Sequence, residues 1–210
     1  FAQFLELWWW RHYLSGKEVK GYLNWKRNYW ISFLERAGLS LPPGSGVLDA
    51  GCGPAGIFMV LEHCRVDAVD PLCGRYAETI RHFNPDNYPY VRFFAQRMEA
   101  FRPGKTYEVV FCLNAINHVA DLKSGIRQLQ RLLQQDGMLV LSTDVHRFSW
   151  FKWPFRLLPA DVLHPQQHDL RDYLIMLRQH GFTALRTIRL KRSLFFDYYL
   201  FICKHTPNDL

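Results

Sequence analysis

The sequence predicts a doubly wound α/β fold: a mostly parallel seven-stranded sheet flanked by helices, with an antiparallel hairpin at its C-terminal edge. Three observations predict it. From Val47 onward, short apolar runs alternate with helix-period segments, the rhythm of βα units that place helices on both faces of a parallel sheet. A Gly-x-Gly-x-x-Gly turn follows the first of these runs. The last two runs, Thr183–Leu190 and Phe195–Lys204, have no helix between them and are expected to pair antiparallel.

The elements follow in order. Phe4, Leu5, Trp8, Trp9 and Tyr13 fall near helical spacing, and the chain breaks at Ser15-Gly16. Tyr22, Trp25, Tyr29, Trp30, Phe33 and Leu34 mark a second amphipathic helix that stops at Gly38. Pro42-Pro43-Gly44 reads as a loop. Strands are then expected at Val47–Ala50, Val66–Val69, Tyr90–Ala95, Tyr107–Leu113 and Met138–Thr143, with helices at Ala55–His63, Leu72–Phe83 and Leu122–Gln135. A further helix spans Asp169–His180: Asp169 is its N-cap, Asp172 stands three residues on, and Gly181 closes it.

The 210 residues are enough for one domain with a full core that needs no disulfides. At 49% hydrophobic and 21% charged, the composition excludes a disordered or low-complexity chain. No apolar run approaches the roughly 18 residues that a spanning helix needs. Cys52, Cys64, Cys73, Cys112 and Cys203 are odd in number and scattered, which suits reduced thiols and a cytoplasmic location. No secretory signal is visible, and the first residue is Phe1 rather than Met, which leaves a short preceding segment open. The formal charge is +7, most of it in the C-terminal third. A basic surface attracts nucleic acid, anionic lipid or an acidic small molecule, or is simply solvated.

Chemistry concentrates in Val47-Leu48-Asp49-Ala50-Gly51-Cys52-Gly53-Pro54-Ala55-Gly56. Gly51, Gly53 and Gly56 permit a tight turn and close approach of a ligand to backbone. Asp49, two residues before the first glycine, would repel a pyrophosphate but can hold an ammonium group, which suits a ligand with an amino-acid moiety. Asp70 ends the second strand 19 residues after Gly51, where a carboxylate can accept both ribose hydroxyls. On its own it would also serve as a turn residue before Pro71.

These residues resemble the class I S-adenosylmethionine-dependent methyltransferases, of the small-molecule type that includes ubiquinone-biosynthesis methyltransferases. The resemblance covers about Leu41–Lys204 and rests on Leu48-Asp49-Ala50-Gly51-Cys52-Gly53. It implies a Rossmann-like fold and S-adenosylmethionine as cofactor, with S-adenosylhomocysteine as product. By position it places Asp49, Gly51, Cys52 and Gly53 at the methionine moiety, Asp70 at the ribose, and Pro71 and Leu72 beside the adenine. Gln96, followed by Arg97, stands where relatives carry an acid for the adenine amino group, and its amide oxygen can accept the same bond. Asn114 follows the fourth strand, near the methionine end. It also implies domains: residues 1–40 as a helical lid, 41–204 as the cofactor domain with a substrate-capping helical insert at 145–168, and 205–210 as a tail.

Asn117-His118 matches a frequent Glu-His of the family, and His164 stands where relatives often have a histidine. Related small-RNA enzymes hold a metal with Glu-x-x-Glu-His. Here the stretch is Asn114-Ala115-Ile116-Asn117-His118, without either carboxylate, and no metal is expected. His118 and His164 are the candidate general bases, with loop orientation as the alternative role of each. Alignment alone can supply most of the acceleration of methyl transfer. Tyr13, Trp25, Tyr29, Trp30, His146 and His168 are candidates for the substrate pocket, with core or dimer packing as the alternative for the aromatics.

The expected substrate is a small apolar or acidic molecule, methylated on oxygen before carbon or nitrogen. An RNA substrate fits the charge but finds no Asn-Pro-Pro-Tyr after the fourth strand and no Pro-Cys nucleophile, so nucleic acid is not the expected partner. A non-catalytic cofactor-binding scaffold is the alternative from another class. The basic-aromatic mixture also suits peripheral docking on an anionic membrane. Monomer and homodimer both stay open.

Overall fold

The computed structural model describes residues 2–119, 121–146, 168–193 and 196–206. His164 and nearly all of the expected 145–168 insert lie outside the described residues. The chain divides into two compact units, Phe1–Phe101 and Arg102–Leu210.

In the first unit, helix α1 spans Ala2–Ser15 and helix α2 spans Val19–Ala37. Glu18 caps α2 by accepting from the Lys20 N–H at 2.8 Å and from the Gly21 N–H. Gly38, left-handed at φ 61°, ends it. Trp30 fixes α2 by donating from Nε1 to the Ala55 carbonyl at 3.0 Å, and Arg27 reaches the Met59 carbonyl and Glu62. Strands β1 (Gly46–Ala50), β2 (Arg65–Val69) and β3 (Val91–Phe94) run parallel, with Leu48 opposite Asp67 and Ala68 opposite Phe93. Asp67 is buried in β2, and Arg92 of β3 satisfies it with two bonds, 2.8 and 2.9 Å.

Two expected helices change. In place of a helix at 55–63 there are two 3₁₀ turns, Gly53–Ala55 and Ile57–Val60. Gly56 between them is extended (φ −75°, ψ −177°), and the Phe58 N–H goes to the Asp49 carboxylate (3.2 Å) instead of a helical carbonyl. The expected 72–83 helix shortens to α3, Cys73–Thr79. Ile80 turns extended there, and it and Phe83 are buried, Phe83 meeting Phe58 and Phe93 edge-on.

In the second unit, β4 (Tyr107–Leu113) and β5 (Leu133–His146) are parallel, and α4 spans Leu122–Leu132 behind an Asp121 cap. The helix expected to reach Gln135 stops at Leu132, and the strand takes over at Leu133. Tyr107 faces Leu133 but Val109 faces Met138, so β5 bulges there around the left-handed Asp136 (φ 61°), which Lys204 holds at 2.9 Å. Helix α5, Leu170–Gln179, starts with the anticipated cap: Asp169 accepts from the Asp172 N–H at 2.9 Å, and Asp172 accepts from the Asp169 N–H at 3.2 Å. Strands β6 (Phe182–Arg192) and β7 (Phe196–His205) form the expected hairpin. Thr187 and Leu141 both face Phe201, so β7 lies between β6 and β5, antiparallel to each. The strands lie in the order β3-β2-β1 in the first unit and β4-β5-β7-β6 in the second, and only the pairings of β7 are antiparallel among those described. The outermost strand β6 is exposed along most of its length and carries Arg186, Arg189, Lys191 and Arg192.

Candidate functional site

The glycine turn is tied down at its base: Gly51 N–H donates to the Val69 carbonyl at 2.7 Å. Gly51 (φ 75°) and Gly53 (φ 56°) adopt the left-handed backbone that disfavours any side chain. Gly56 is required for a different reason, because a Cβ there would collide with the Asp49 carboxylate and the Cys52 carbonyl. Asp49 is buried behind the turn, bonded to the backbone of Phe58, and Asp70 is buried on its other side. Asp70 accepts from Gly53 N–H at 3.1 Å and Leu72 N–H at 2.8 Å. Cys52 and Cys73 are both buried, their sulfurs 3.8 Å apart.

Burial raises the pKa of Asp49 to about 7 and that of Asp70 to about 6, against the lowering effect of these amide bonds. Two further ionisable groups join them. Glu6 of α1 accepts from Tyr76 Oη at 3.3 Å and from Trp10, and burial followed by the Asp70 charge pushes it up to about 7. Lys26 of α2 is brought down to about 8 by burial, with the Asp49 charge opposing. A Cβ on Gly53 would lie 3.6 Å from the Trp10 ring, so Trp10 covers the turn. Glu6, Trp10 and Lys26 escaped the sequence reading because helix packing brings them here. The available signal was a lone carboxylate in the apolar run Phe4–Trp10.

The other candidates are dispersed. Pro71 follows Asp70 directly and is half-buried, while Gln96 and Arg97 are exposed beyond the end of β3. Tyr13 and Trp25 come together with Lys17, Glu18, Gly21 and Tyr22 around an open hollow of about 340 Å³. Tyr29 and the buried Trp30 continue along α2, with Lys26 Nζ 4.8 and 4.7 Å from their ring centres.

In the second unit, Asn114 is exposed and left-handed (φ 55°), its N–H shared between the carbonyl (3.0 Å) and hydroxyl (3.1 Å) of Ser142. His118 ends the 3₁₀ turn Ile116–His118 with its side chain exposed. Its neighbour Asn117 is buried, and its Oδ1 accepts from Tyr173 Oη at 2.9 Å and from the Thr143 hydroxyl. Its role here is to join the turn to β5 and α5. His168 is half-buried, edge-on to Tyr173 and 3.7 Å from Asp172. His146 is the last residue of β5.

A family model described as a methyltransferase domain matches residues 22–187. The chain belongs to that methyltransferase family. It is a class I S-adenosylmethionine-dependent methyltransferase, and S-adenosylmethionine is its cofactor. The methyltransferase is 33% identical over 142 residues to a ubiquinone biosynthesis O-methyltransferase of Pseudomonas paraeruginosa, covering 64% of this chain and 57% of that protein. Its counterpart in Rickettsia akari is 30% identical over 99 residues, 46% of this chain and 39% of that one. The chain thus spans only part of the length of these relatives. The fold is shared with a magnesium protoporphyrin IX methyltransferase from Synechocystis solved with bound S-adenosylhomocysteine, at TM-score 0.62 and 19% identity, covering 97% of this chain and 94% of that one.

The residues present fit that cofactor. Gly51 and Gly53 hold the left-handed backbone of a tight turn, the kind in which a ligand can approach the main chain closely. Asp70 at the strand tip offers a carboxylate to hydroxyls. Burial raises the pKa values of Glu6, Asp49 and Asp70, and a ligand carrying an ammonium and a sulfonium would supply positive charge that favours their ionised forms.

Proposed function

We propose that this chain methylates an oxygen of a small apolar or acidic metabolite. The observation that carries the reading is the pair of buried carboxylates, Asp49 and Asp70, on either side of the glycine turn. When bound, S-adenosylmethionine supplies a methyl group already activated by its sulfonium. The chain's own residues bind and orient. Asp70 accepts from the ribose hydroxyls while Gly53 N–H keeps it in place, and Asp49 faces the ammonium end. Pro71 and Leu72 border the adenine, and Gln96 accepts from its amino group.

Oxygen is favoured as acceptor because the Pseudomonas relative is named an O-methyltransferase. The aromatic hollow at Tyr13 and Trp25 favours an apolar substrate body, and Lys17 at its rim favours an acidic group. His118, exposed on its turn, is the proposed base, with His164 as the other candidate.

The test is calorimetric titration with S-adenosylhomocysteine, with NADH as control, followed by a screen of phenolic and carboxylic metabolites. Micromolar binding of the product analogue, a silent control and methyl transfer to oxygen support the reading; binding without turnover on any acceptor overturns it. His118→Ala is expected to lower turnover while leaving S-adenosylhomocysteine affinity unchanged. A pH–rate profile identical to that of the parent would remove His118 as base.

A further inference from the structure

Helix α1 is apolar on nearly every face but buried on only one. Leu7 and Leu14 are buried, seven residues apart on the inward side. On the outward side Phe4 (67% exposed), Trp8 (58%) and Trp9 (47%) stand in solvent, where a helix of a water-soluble domain normally presents polar residues. Helix α2 extends the patch with Trp25 (54%) and Tyr29 (38%). Among the described residues, large exposed apolar side chains away from these helices are confined to Ile175 and Leu185. Isolated exposed residues need no explanation, whereas a contiguous patch does.

The patch is also ordered. Trp8 stacks on His12 (5.6 Å), and Trp9 stacks on Tyr13 (4.9 Å). Contacts then pass from Tyr13 through Tyr22 to Trp25 and Tyr29. Lys17 Nζ sits 4.4 Å from the centre of Tyr13. Between residues 1 and 30 there are five Lys or Arg against Glu6 and Glu18. Glu18 is engaged in capping α2, and Glu6 is turned toward Tyr76. Lys17 thus lies on the aromatic surface with Glu18 beside it, Arg11 and Lys20 are exposed on the same two helices, and basic groups outnumber acidic ones there.

We propose that the outward face of α1, continued by the exposed aromatics of α2, docks this protein on an anionic lipid bilayer. Tryptophan and tyrosine favour the headgroup layer because an apolar ring and a polar edge are satisfied there together. Lysine and arginine beside them meet the negative surface potential of the lipid. A second copy of the same face would bring like charges together, which opposes self-association. Among the described residues no helix is long and apolar enough to cross a membrane, so the helices lie on the surface rather than through it. The proposal does not depend on the substrate or on methyl transfer.

The test is co-sedimentation of the full chain with vesicles of phosphatidylcholine alone and of phosphatidylcholine mixed equally with phosphatidylglycerol. Binding to the mixed vesicles, with a blue shift of tryptophan emission and quenching by lipids brominated in the upper acyl chain, is expected. Phe4→Ser with Trp8→Ser should abolish sedimentation, and Arg11→Ala or Lys20→Ala should each weaken it about fivefold on the mixed vesicles. S-adenosylhomocysteine binding should be unchanged in these variants, which also reports that they are folded. No sedimentation of the parent chain, sedimentation indifferent to the Phe4 and Trp8 change, or burial of the face in a dimer by analytical ultracentrifugation would each overturn the proposal.

Discussion

One buried polar cluster in each of the two compact units shows two ways of taking polar groups out of water. In the second, Asn117, Thr143 and Tyr173 form a neutral triad in which the hydroxyls donate to one amide oxygen. In the first, Glu6, Asp49 and Asp70 keep ionisable carboxylates out of water, where burial favours their protonated forms. A closed neutral network ties elements together. An acidic cluster held near its titration point costs the free protein stability, and that cost makes sense where a cationic ligand completes it.

The largest effect is expected at the glycine turn. Gly56→Ala places a methyl against Asp49 and a backbone carbonyl, with a cost of about 1–3 kcal/mol and loss of S-adenosylhomocysteine binding by calorimetry. Gly74→Ala in α3, where a Cβ meets nothing within 4 Å, should retain affinity, and equal losses in both would show that the turn is not special.

Next comes charge. Asp49→Asn should weaken cofactor binding by roughly 1.5–3 kcal/mol. The accompanying pH dependence has a definite sign. The folded pKa of Asp49, about 7, lies above its ordinary 3.8, so between these values the folded state holds a proton that the unfolded chain has lost. Its contribution to the stability of the free protein is thus full below about pH 4 and declines as pH rises through 7. Asp49→Asn should therefore raise the melting temperature at pH 8 more than at pH 5. Affinity of the parent for S-adenosylhomocysteine should instead fall as pH drops below 7, with protons released on binding. A pH-independent affinity would break the comparison. The smallest effect is expected in the second unit: Tyr173→Phe should cost about 0.5–1.5 kcal/mol in denaturant unfolding while cofactor affinity stays unchanged.

Much of this was legible in the sequence. Strand periodicity located all seven strands to within a few residues, except that β5 begins earlier, because Leu133–Gly137 does not alternate and pairs through a bulge. Asp169 and Asp172 announced their cap because that motif is local. The segment after the glycine turn misled the pattern: four apolar residues at 57–60 look helical, but Asp49, far back in the chain, competes for their amides. Asp49 and Asp70 could be marked because a strand end and a glycine spacing fix their places. Glu6, Trp10 and Lys26 could not, since their place depends on how two helices pack.

The outermost strand has a consequence for the life of the protein in a crowded solution. Among the described residues, strand β6 has a neighbouring strand on one side, and its other row of peptide groups is the kind of border on which further chains can add. Arg186, Arg189, Lys191 and Arg192 stand along that strand, Arg189 with Asp197 3.5 Å away, and an approaching copy would bring the same basic excess. An excess of like charge along such a border opposes the pairing of two copies edge to edge.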